Sequence, residues 1–158
     1  MANHRNEYDD RRRAEIRRAP IAAVYRVSLA TTGIAADLAH EFLAADDAIH
    51  ALVLANPKES MIRELFEKRL SRRDLKRMVA KHHSARQSLE LVMLSARLVR
   101  THYPDAYDSY VTLVMTAARS AADAVKEVSI PWHKRTVETE ERAMVEIKRA
   151  LDVHRSPA

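Results

Sequence analysis

The stretch at residues 105–129 reads DAYDSYVTLVMTAARSAADAVKEVS, with no glycine or proline and with apolar or small side chains on nearly every side. A helix of this kind belongs in the centre of a bundle, because its alanine, serine and threonine side chains let a neighbouring helix approach closely. The whole chain shares this character: Gly33 is the one glycine among 158 residues, and the four internal prolines separate long stretches without helix breakers. Turns and sheets usually recruit glycine, whereas proline is tolerated in the first turn of a helix, so an all-α fold is predicted.

Proline positions and apolar periodicity divide the chain into helical segments. Between Pro20 and Ala55 the apolar residues recur at spacings of three, four and seven, which is typical of an amphipathic helix. The glycine-containing stretch 31–33 in its middle leaves two alternatives open, one continuous helix or a helix that is kinked or split there. The predicted helices span residues 8–19, 20–55, 58–70, 71–101, 105–129 and 131–154.

Capping and packing signals complete the fold prediction. Ser71 is expected to cap the helix over 71–101, with Asp74 at the capping-box position. This helix and the one over 105–129 are the most apolar, so the core is expected between them: Leu89, Val92, Met93, Ala96, Leu113, Val114 and Ala117. The predicted architecture is a four-helix-bundle-like core with a basic N-terminal helical arm and a short connecting helix. The predicted division is an arm at 1–19, a bundle at 20–155 and a tail at 156–158.

Composition excludes several classes of protein. The chain has no cysteine, so disulfides, thiolate metal sites and cysteine nucleophiles are excluded. No apolar run approaches the roughly 18 residues that cross a bilayer. The first residues, MANHRNEYDDRRR, are charged and are not followed by the apolar segment of a secretory signal. We therefore expect an intracellular protein, or a virion protein.

Positive charge is concentrated in two segments. The formal net charge is +5 and the pI is about 9.7. Residues 11–18, RRRAEIRR, contain five arginines and one glutamate. Residues 68–81, KRLSRRDLKRMVAK, contain seven lysines and arginines and one aspartate. On one helix from Ser71 to Thr101, the side opposite the apolar face presents Arg73, Lys76, Arg77 and Lys81, extended by Ser84 and Gln87.

Such a row of cations suits a phosphate backbone, and arginine matches phosphate geometry better than lysine does. Three alternatives remain open: nucleic-acid contact, a solvated helix face, and an acidic protein or membrane partner. No aromatic residue lies between the charges, and neither zinc-finger spacing nor a glycine-containing helix-turn-helix is present. Contact with the backbone, without reading of base sequence, is therefore favoured. The residues predicted to contact nucleic acid are Arg11, Arg12, Arg13, Arg17, Arg18, Arg69, Arg72, Arg73, Lys76, Arg77 and Lys81.

An acidic stretch, DLAHEFLAADD at residues 37–47, contains no lysine or arginine; its acids are Asp37, Glu41, Asp46 and Asp47. It is either a solvated helix face or a patch that meets the basic segments of a neighbouring copy. Two Asp-x-x-His pairs start within this stretch, Asp37/His40 and Asp47/His50. Metal sites use this spacing of aspartate and histidine. The ten-residue offset rotates the second pair by about 80° from the first, so the pairs do not converge. Neither a metal nor a cofactor is expected.

Three further pairs of residues are candidates for a catalytic or ion-pairing role. Arg97 and His102 form an Arg-x4-His arrangement that resembles the metal-independent ribonuclease motif of HEPN domains, in which Arg and His would act on the scissile phosphate and the 2′-hydroxyl. Arg77 and His82 have the same spacing, but His82 falls on the apolar stripe and is interpreted as a core or interface histidine. Arg119 and Asp123 are i, i+4 partners, which predicts an ion pair within the bundle.

In layout, this small, basic, cysteine-free helical chain with an arginine-rich N-terminal arm resembles the DNA-coating capsid proteins of filamentous archaeal viruses. The resemblance rests on no motif and implies a structural role in many copies, without enzymatic activity. We therefore expect a non-enzymatic, homo-oligomeric or multi-copy protein that coats or packages nucleic acid, with DNA or RNA left open. The alternatives are a HEPN-like ribonuclease and an adaptor that docks through Val137, Met144, Ile147 and Leu151.

Overall fold

The computed structural model of the chain describes residues 2–31, 38–56, 60–81, 84–126 and 133–153. Within these ranges the chain forms seven α-helices and a 3-10 turn, and no strand occurs. The helices are α1 (Ala2–Thr31), α2 (Leu38–Ala55), α3 (Ser60–Phe66), α4 (Arg72–Lys81), α5 (Ala85–His102), α6 (Tyr107–Lys126) and α7 (His133–Asp152), with the 3-10 turn at Pro104–Ala106. The all-α prediction is confirmed.

Four long helices form the centre of the fold. Each of α1, α5, α6 and α7 packs against the other three, and α2 packs on α6 and α1. At their centre, Val92, Ala96, Leu113, Val114 and Ala117 are fully buried, as predicted. The other two expected core residues, Leu89 and Met93, are partly buried against the same cluster. The two short helices α3 and α4 lie against α1.

Helix α1 continues through Pro20, where the sequence predicts a helix boundary. Proline has no N–H group, so the carbonyl of Ile16, four residues earlier, loses its helical donor. The hydroxyl of Tyr110 on α6 donates to that carbonyl at 2.9 Å. The hydroxyl of Ser95 on α5 donates to the neighbouring carbonyl of Glu15 at 2.8 Å. Two other helices thus satisfy this part of the α1 backbone, and the boundary predicted at Pro20 is wrong.

The basic N-terminal segment is helical, as predicted, but it is the first part of α1 rather than a separate helix. Its outer positions, Glu7, Tyr8, Asp10 and Arg11, are exposed. Farther along, Ile16 and the segment that follows Arg18 enter the core, and Ile16 is fully buried. One helix therefore joins a charged, exposed surface to the centre of the bundle.

Two predicted helices are divided in the structure. The segment 20–55 gives the end of α1 and the whole of α2, and residues 32–37 lie outside the described ranges. The segment 71–101 gives α4 and α5, which is a correction of the single helix that was predicted there. Ser84 begins the second of these helices as its N-cap, because its hydroxyl accepts the backbone N–H of Gln87 at 3.1 Å.

Candidate functional site

Arginine side chains on α1 hold the segment that leads from α3 into α4. Arg17 donates to the backbone carbonyls of Leu65 and Lys68, the second at 3.1 Å, and its guanidinium lies 5.9 Å from the centre of the Phe66 ring. The carbonyls at the end of a helix lack helical donors, so Arg17 satisfies groups that would otherwise be exposed. One turn earlier, Arg13 pairs with Glu64 on α3 at 2.5 Å. These contacts bring the two basic segments of the chain onto one surface.

Helix α4 begins with a capping box. The Ser71 hydroxyl accepts the backbone N–H of Asp74 at 3.1 Å, and the Asp74 carboxylate accepts both the backbone N–H and the hydroxyl of Ser71. The predicted cap at Ser71 is therefore confirmed. Burial alone would raise the pKa of Asp74, but the Ser71 hydrogen bonds and the charges of Arg17 and Arg77 outweigh it and lower that pKa below its usual value.

The outward face of α4 is positively charged. Leu75 is buried against the fold, whereas Arg72, Arg73, Lys76 and Arg77 are exposed. None of these four cations forms an ion pair with any residue in the described ranges. We call these four residues the α4 cation face. The longer row predicted from Arg73 to Gln87 is wrong, because α4 ends at Lys81 and Ser84 caps a different helix.

Several predicted contact residues on α1 and before α4 are instead engaged inside the protein. Arg12 pairs with Asp9 and lies over the Tyr8 ring, and Arg18 pairs with Glu15 at 2.8 Å. Of the predicted contact residues, the engaged ones are Arg12, Arg13, Arg17, Arg18 and Arg69. Arg11 is exposed and forms no ion pair within the described ranges, whereas the side chain of Lys81 lies outside the described part.

A cleft of about 140 Å³ separates α1 from α4. It is lined by Ala14, Arg17, Arg18, Leu70, Asp74 and Arg77. Three guanidinium groups from two helices therefore border one small space. We call it the α1–α4 cleft.

The acidic stretch is engaged within the same chain. Asp46 is buried; its carboxylate accepts the backbone N–H of Leu70 at 3.0 Å and a guanidinium N–H of Arg69 at 3.3 Å. Asp47 pairs with the same arginine at 2.8 Å. Glu41 is buried and accepts the hydroxyl of Ser28. The interpretation as a solvated face is wrong for Glu41 and Asp46, which are buried and fasten α2 to α1 and to the segment before α4. Asp47 is exposed, and Asp37 lies outside the described residues.

The other candidate residues are not assembled into a site. Asp47 pairs with Arg69 while His40 is exposed, and no group of three His, Asp or Glu side chains able to hold a metal occurs among the described residues. Arg97 and His102 are both exposed on α5, about 140° apart around the helix. His82 lies outside the described ranges.

Two expectations about α6 and α7 need correction. Arg119 and Asp123 are both exposed, beside a groove between α6 and α7, rather than inside the bundle. The apolar stripe of α7 is used in packing: Ile147 and Leu151 are fully buried, and Met144 is partly buried. An adaptor could not dock through that stripe without unpacking the helix. The Val137 side chain lies outside the described part.

Comparisons of the chain with known protein families, with curated proteins and with solved structures found no match. Within the described ranges, none of the helices combines the length and the apolar character that crossing a membrane requires. The function is therefore argued from the geometry of the basic surface.

Proposed function

We propose that the protein binds nucleic acid through its backbone phosphates, without reading base sequence, as a non-enzymatic structural component. The supporting observation is the α4 cation face: four exposed cations on one helix, none of them paired within the described part of the chain. The proposal includes assembly of many copies on the nucleic acid, inside a cell or a particle.

The spacing of the cation face suits a charged polymer. Arg72 and Lys76 form one i, i+4 column and Arg73 and Arg77 form a second, with about 6 Å of axial rise in each. The acid of this helix, Asp74, is half-buried and accepts hydrogen bonds from Ser71. Guanidinium groups bind phosphate oxygens through two parallel hydrogen bonds, and each neutralised phosphate releases counterions.

Another exposed helix face of the same protein shows what a solvated surface looks like here. The outward side of α7 presents Glu141 and Arg142 together with Lys148 and Arg149, so both signs of charge are present. The outward side of α4 presents cations alone. Because a mixed-sign face needs no partner and a single-sign face repels itself, the contrast favours an anionic ligand for α4.

The exposed face of α4 contains no aromatic residue among its described side chains. Base stacking is the usual basis of single-strand recognition. Charge-based contact with a backbone is therefore the better match, and we expect unrelated duplexes of equal length to bind with similar affinity.

The test is a quadruple substitution of the cation face, Arg72→Gln, Arg73→Gln, Lys76→Gln and Arg77→Gln. The matched control removes four exposed cations elsewhere, on α5, α6 and α7: Arg97→Gln, Arg119→Gln, Lys148→Gln and Arg149→Gln. Glutamine keeps good helix propensity, so both variants should fold. Both have the same net charge, so a difference between them reports position rather than total charge.

We expect the α4 variant to bind every duplex more weakly than the control variant does. Its slope of log affinity against log salt should shrink by about one unit for each lost phosphate contact. Equal affinities and equal slopes for the two variants would make the α4 face an ordinary solvated surface. If the wild-type protein showed no salt-dependent binding to any duplex, that result would contradict the proposed function itself.

A further inference from the structure

The α1–α4 cleft differs from the cation face beside it, because it is a recess between two helices rather than the open face of one helix. Its volume is about 140 Å³, several times the roughly 10–15 Å³ that one water molecule requires on the same measure. A phosphate group has five heavy atoms and fits this space. Its walls come from two helices that are distant in sequence, so the spacing of the guanidinium groups is set by the fold.

Hydrogen bonds fix the walls of the cleft. They hold some of its arginine side chains in place and leave others available to bind a ligand. Arg17 is committed to the carbonyls of Leu65, Lys68 and Arg69, and it thereby holds the start of α4 against α1. The backbone N–H of Leu70, at the other side, is held by Asp46 at 3.0 Å. Arg77, by contrast, lines the cleft without an ion pair in the described ranges.

The charge of the cleft favours an anion. Arg17, Arg18 and Arg77 contribute three positive charges to the lining. Two carboxylates oppose them: Asp74 in the lining, which is held by Ser71, and Glu15, which pairs with Arg18 at 2.8 Å. One positive charge remains uncompensated among these groups. The guanidinium of Arg77 acts on Asp74 by charge, and it donates no hydrogen bond to any residue in the described ranges, so its donors can meet an anion.

We infer that the α1–α4 cleft binds one phosphate group, with Arg77 as its main contact; Arg18, which Glu15 engages through Nη1, borders the same space. The ligand assignment rests on the proposed function, since a backbone phosphate is the natural source of the group. On this arrangement a nucleic acid lies along the α4 cation face, and one of its phosphates enters the cleft. The cleft then fixes the register of the protein on the backbone, whereas the open face contributes charge alone.

The test compares two neighbouring residues of equal charge. Arg77→Gln removes a cation that lines the cleft, and Lys76→Gln removes one from the same turn of α4 that does not. If only counterion release matters, both variants lose the same affinity for a duplex without terminal phosphates. If the cleft binds a phosphate, Arg77→Gln should lose about tenfold more than Lys76→Gln does. Arg77→Lys should also lose affinity, because lysine keeps the charge but lacks the two-pronged geometry.

A second measurement uses inorganic phosphate alone, at constant ionic strength, with chloride as the reference anion. Phosphate should raise the melting temperature of the wild-type protein and of Lys76→Gln, and it should not raise that of Arg77→Gln. Adding a 5′-phosphate to the duplex distinguishes a backbone phosphate from a terminal one as the ligand of the cleft. If the affinity loss caused by Arg77→Gln stays the same, the ligand is an internal backbone phosphate. If the loss increases, the ligand is the terminal phosphate.

The two proposals fail in different ways. Equal losses for Arg77→Gln and Lys76→Gln, with phosphate stabilising all variants alike, would overturn the cleft as a phosphate site while leaving nucleic-acid binding intact. Phosphate stabilisation that requires Arg77, in a protein that binds no duplex, would support the cleft and overturn the proposed function.

Discussion

The hydroxyl of Tyr110 has an unusual task, because it replaces a backbone donor that Pro20 removes from α1. The side chain is fully buried, and burial raises its pKa above the ordinary value of 10, so the hydroxyl stays protonated and remains a donor. Its acceptor, the carbonyl of Ile16, is 94 residues away in the chain. A buried carbonyl that loses its donor is costly, so this single hydroxyl should matter for stability.

We expect Tyr110→Phe to lower the free energy of unfolding by about 1–3 kcal/mol, measured by urea denaturation. Tyr8→Phe removes the same hydroxyl from an exposed ring and should change stability by less than about 0.5 kcal/mol. In a Pro20→Ala background the helical N–H returns to α1, so the cost of Tyr110→Phe should shrink. An equal cost with and without Pro20 would show that the two residues are independent.

Glu146 on α7 joins that helix to α1 through Arg26, which is only 9% exposed. The carboxylate accepts two hydrogen bonds from Arg26, at 2.5 and 3.0 Å, and one from Arg142 at 3.2 Å. Burial alone would raise the pKa of Glu146, but these hydrogen bonds and charges outweigh it and lower the pKa below 4.5. The ionised form is therefore favoured by folding.

A lowered pKa gives Glu146 a stabilising contribution that is complete above pH 4.5 and is lost as the pH falls through the lower value in the folded protein. We expect Glu146→Gln to destabilise the protein at pH 7 by about 1.5–3 kcal/mol, because it leaves the Arg26 guanidinium without its charged acceptor. The variant should also lose less stability than the wild type between pH 5 and pH 3, measured by thermal unfolding. Parallel pH profiles for the two proteins would contradict this assignment. Glu141→Gln, at an exposed position of the same helix, is the control.

At the scale of elements, the division between α4 and α5 has a local cause. Ser84 caps α5: its hydroxyl accepts the backbone N–H of Gln87 and donates to the side-chain oxygen of the same residue, each at 3.1 Å. This cap lets α5 pack in the bundle while α4 lies against α1 and presents its cations outward.

The sign of the stability change caused by Ser84→Ala shows whether the segment 71–101 is divided at Ser84 or forms one continuous helix. With Ser84 as an N-cap, Ser84→Ala should destabilise the protein by about 1 kcal/mol. In the interior of one long helix the same change would be neutral or stabilising, because alanine has the higher helix propensity. Thr112→Ala, at an exposed position in the interior of α6, supplies that comparison in the same protein. Denaturant unfolding of both variants measures the two signs directly, and a stabilising Ser84→Ala would contradict the division.

The sequence predicts a structural feature well when the residues that cause it lie close together in the chain. The scarcity of glycine in the chain and the small apolar face of 105–129 are local signals, and they predict the all-α fold and the buried positions of α6. The N-cap at Ser84 is also local, but apolar periodicity continues across it and predicts one helix. The passage of α1 through Pro20 depends on Tyr110, and no pattern near Pro20 indicates so distant a donor.

The candidate site shows the same limit. The sequence indicates the two basic segments, but it does not indicate which cations remain available. Arg17 is engaged by carbonyls 48 or more residues away, and Arg69 by an acid 23 residues away. Only the folded structure shows which basic side chains are engaged. Those of the α4 cation face have no such acceptor in the described ranges.

For the whole molecule, the distribution of charge bears on assembly. The acids that seemed available to a neighbouring copy, Asp46 and Asp47, are engaged by Arg69 of the same chain. The α4 cation face remains positive, in a chain whose formal net charge is +5. Two copies that approach through these faces repel each other, and an anionic polymer between them removes that repulsion. We therefore expect assembly into many copies to depend on nucleic acid.

Sedimentation velocity at micromolar protein concentration tests this dependence. With duplexes of increasing length, the number of copies per complex should rise with length, because contacts with the backbone repeat along it and do not require a particular sequence. Raising the salt concentration should dissociate the complexes into the species seen without nucleic acid. The quadruple α4 variant should form fewer or no such complexes, while the variant with four cations removed from α5, α6 and α7 should behave like the wild type. A complex that stays at one copy on every duplex, however long, would contradict multi-copy coating and leave a protein that binds nucleic acid singly.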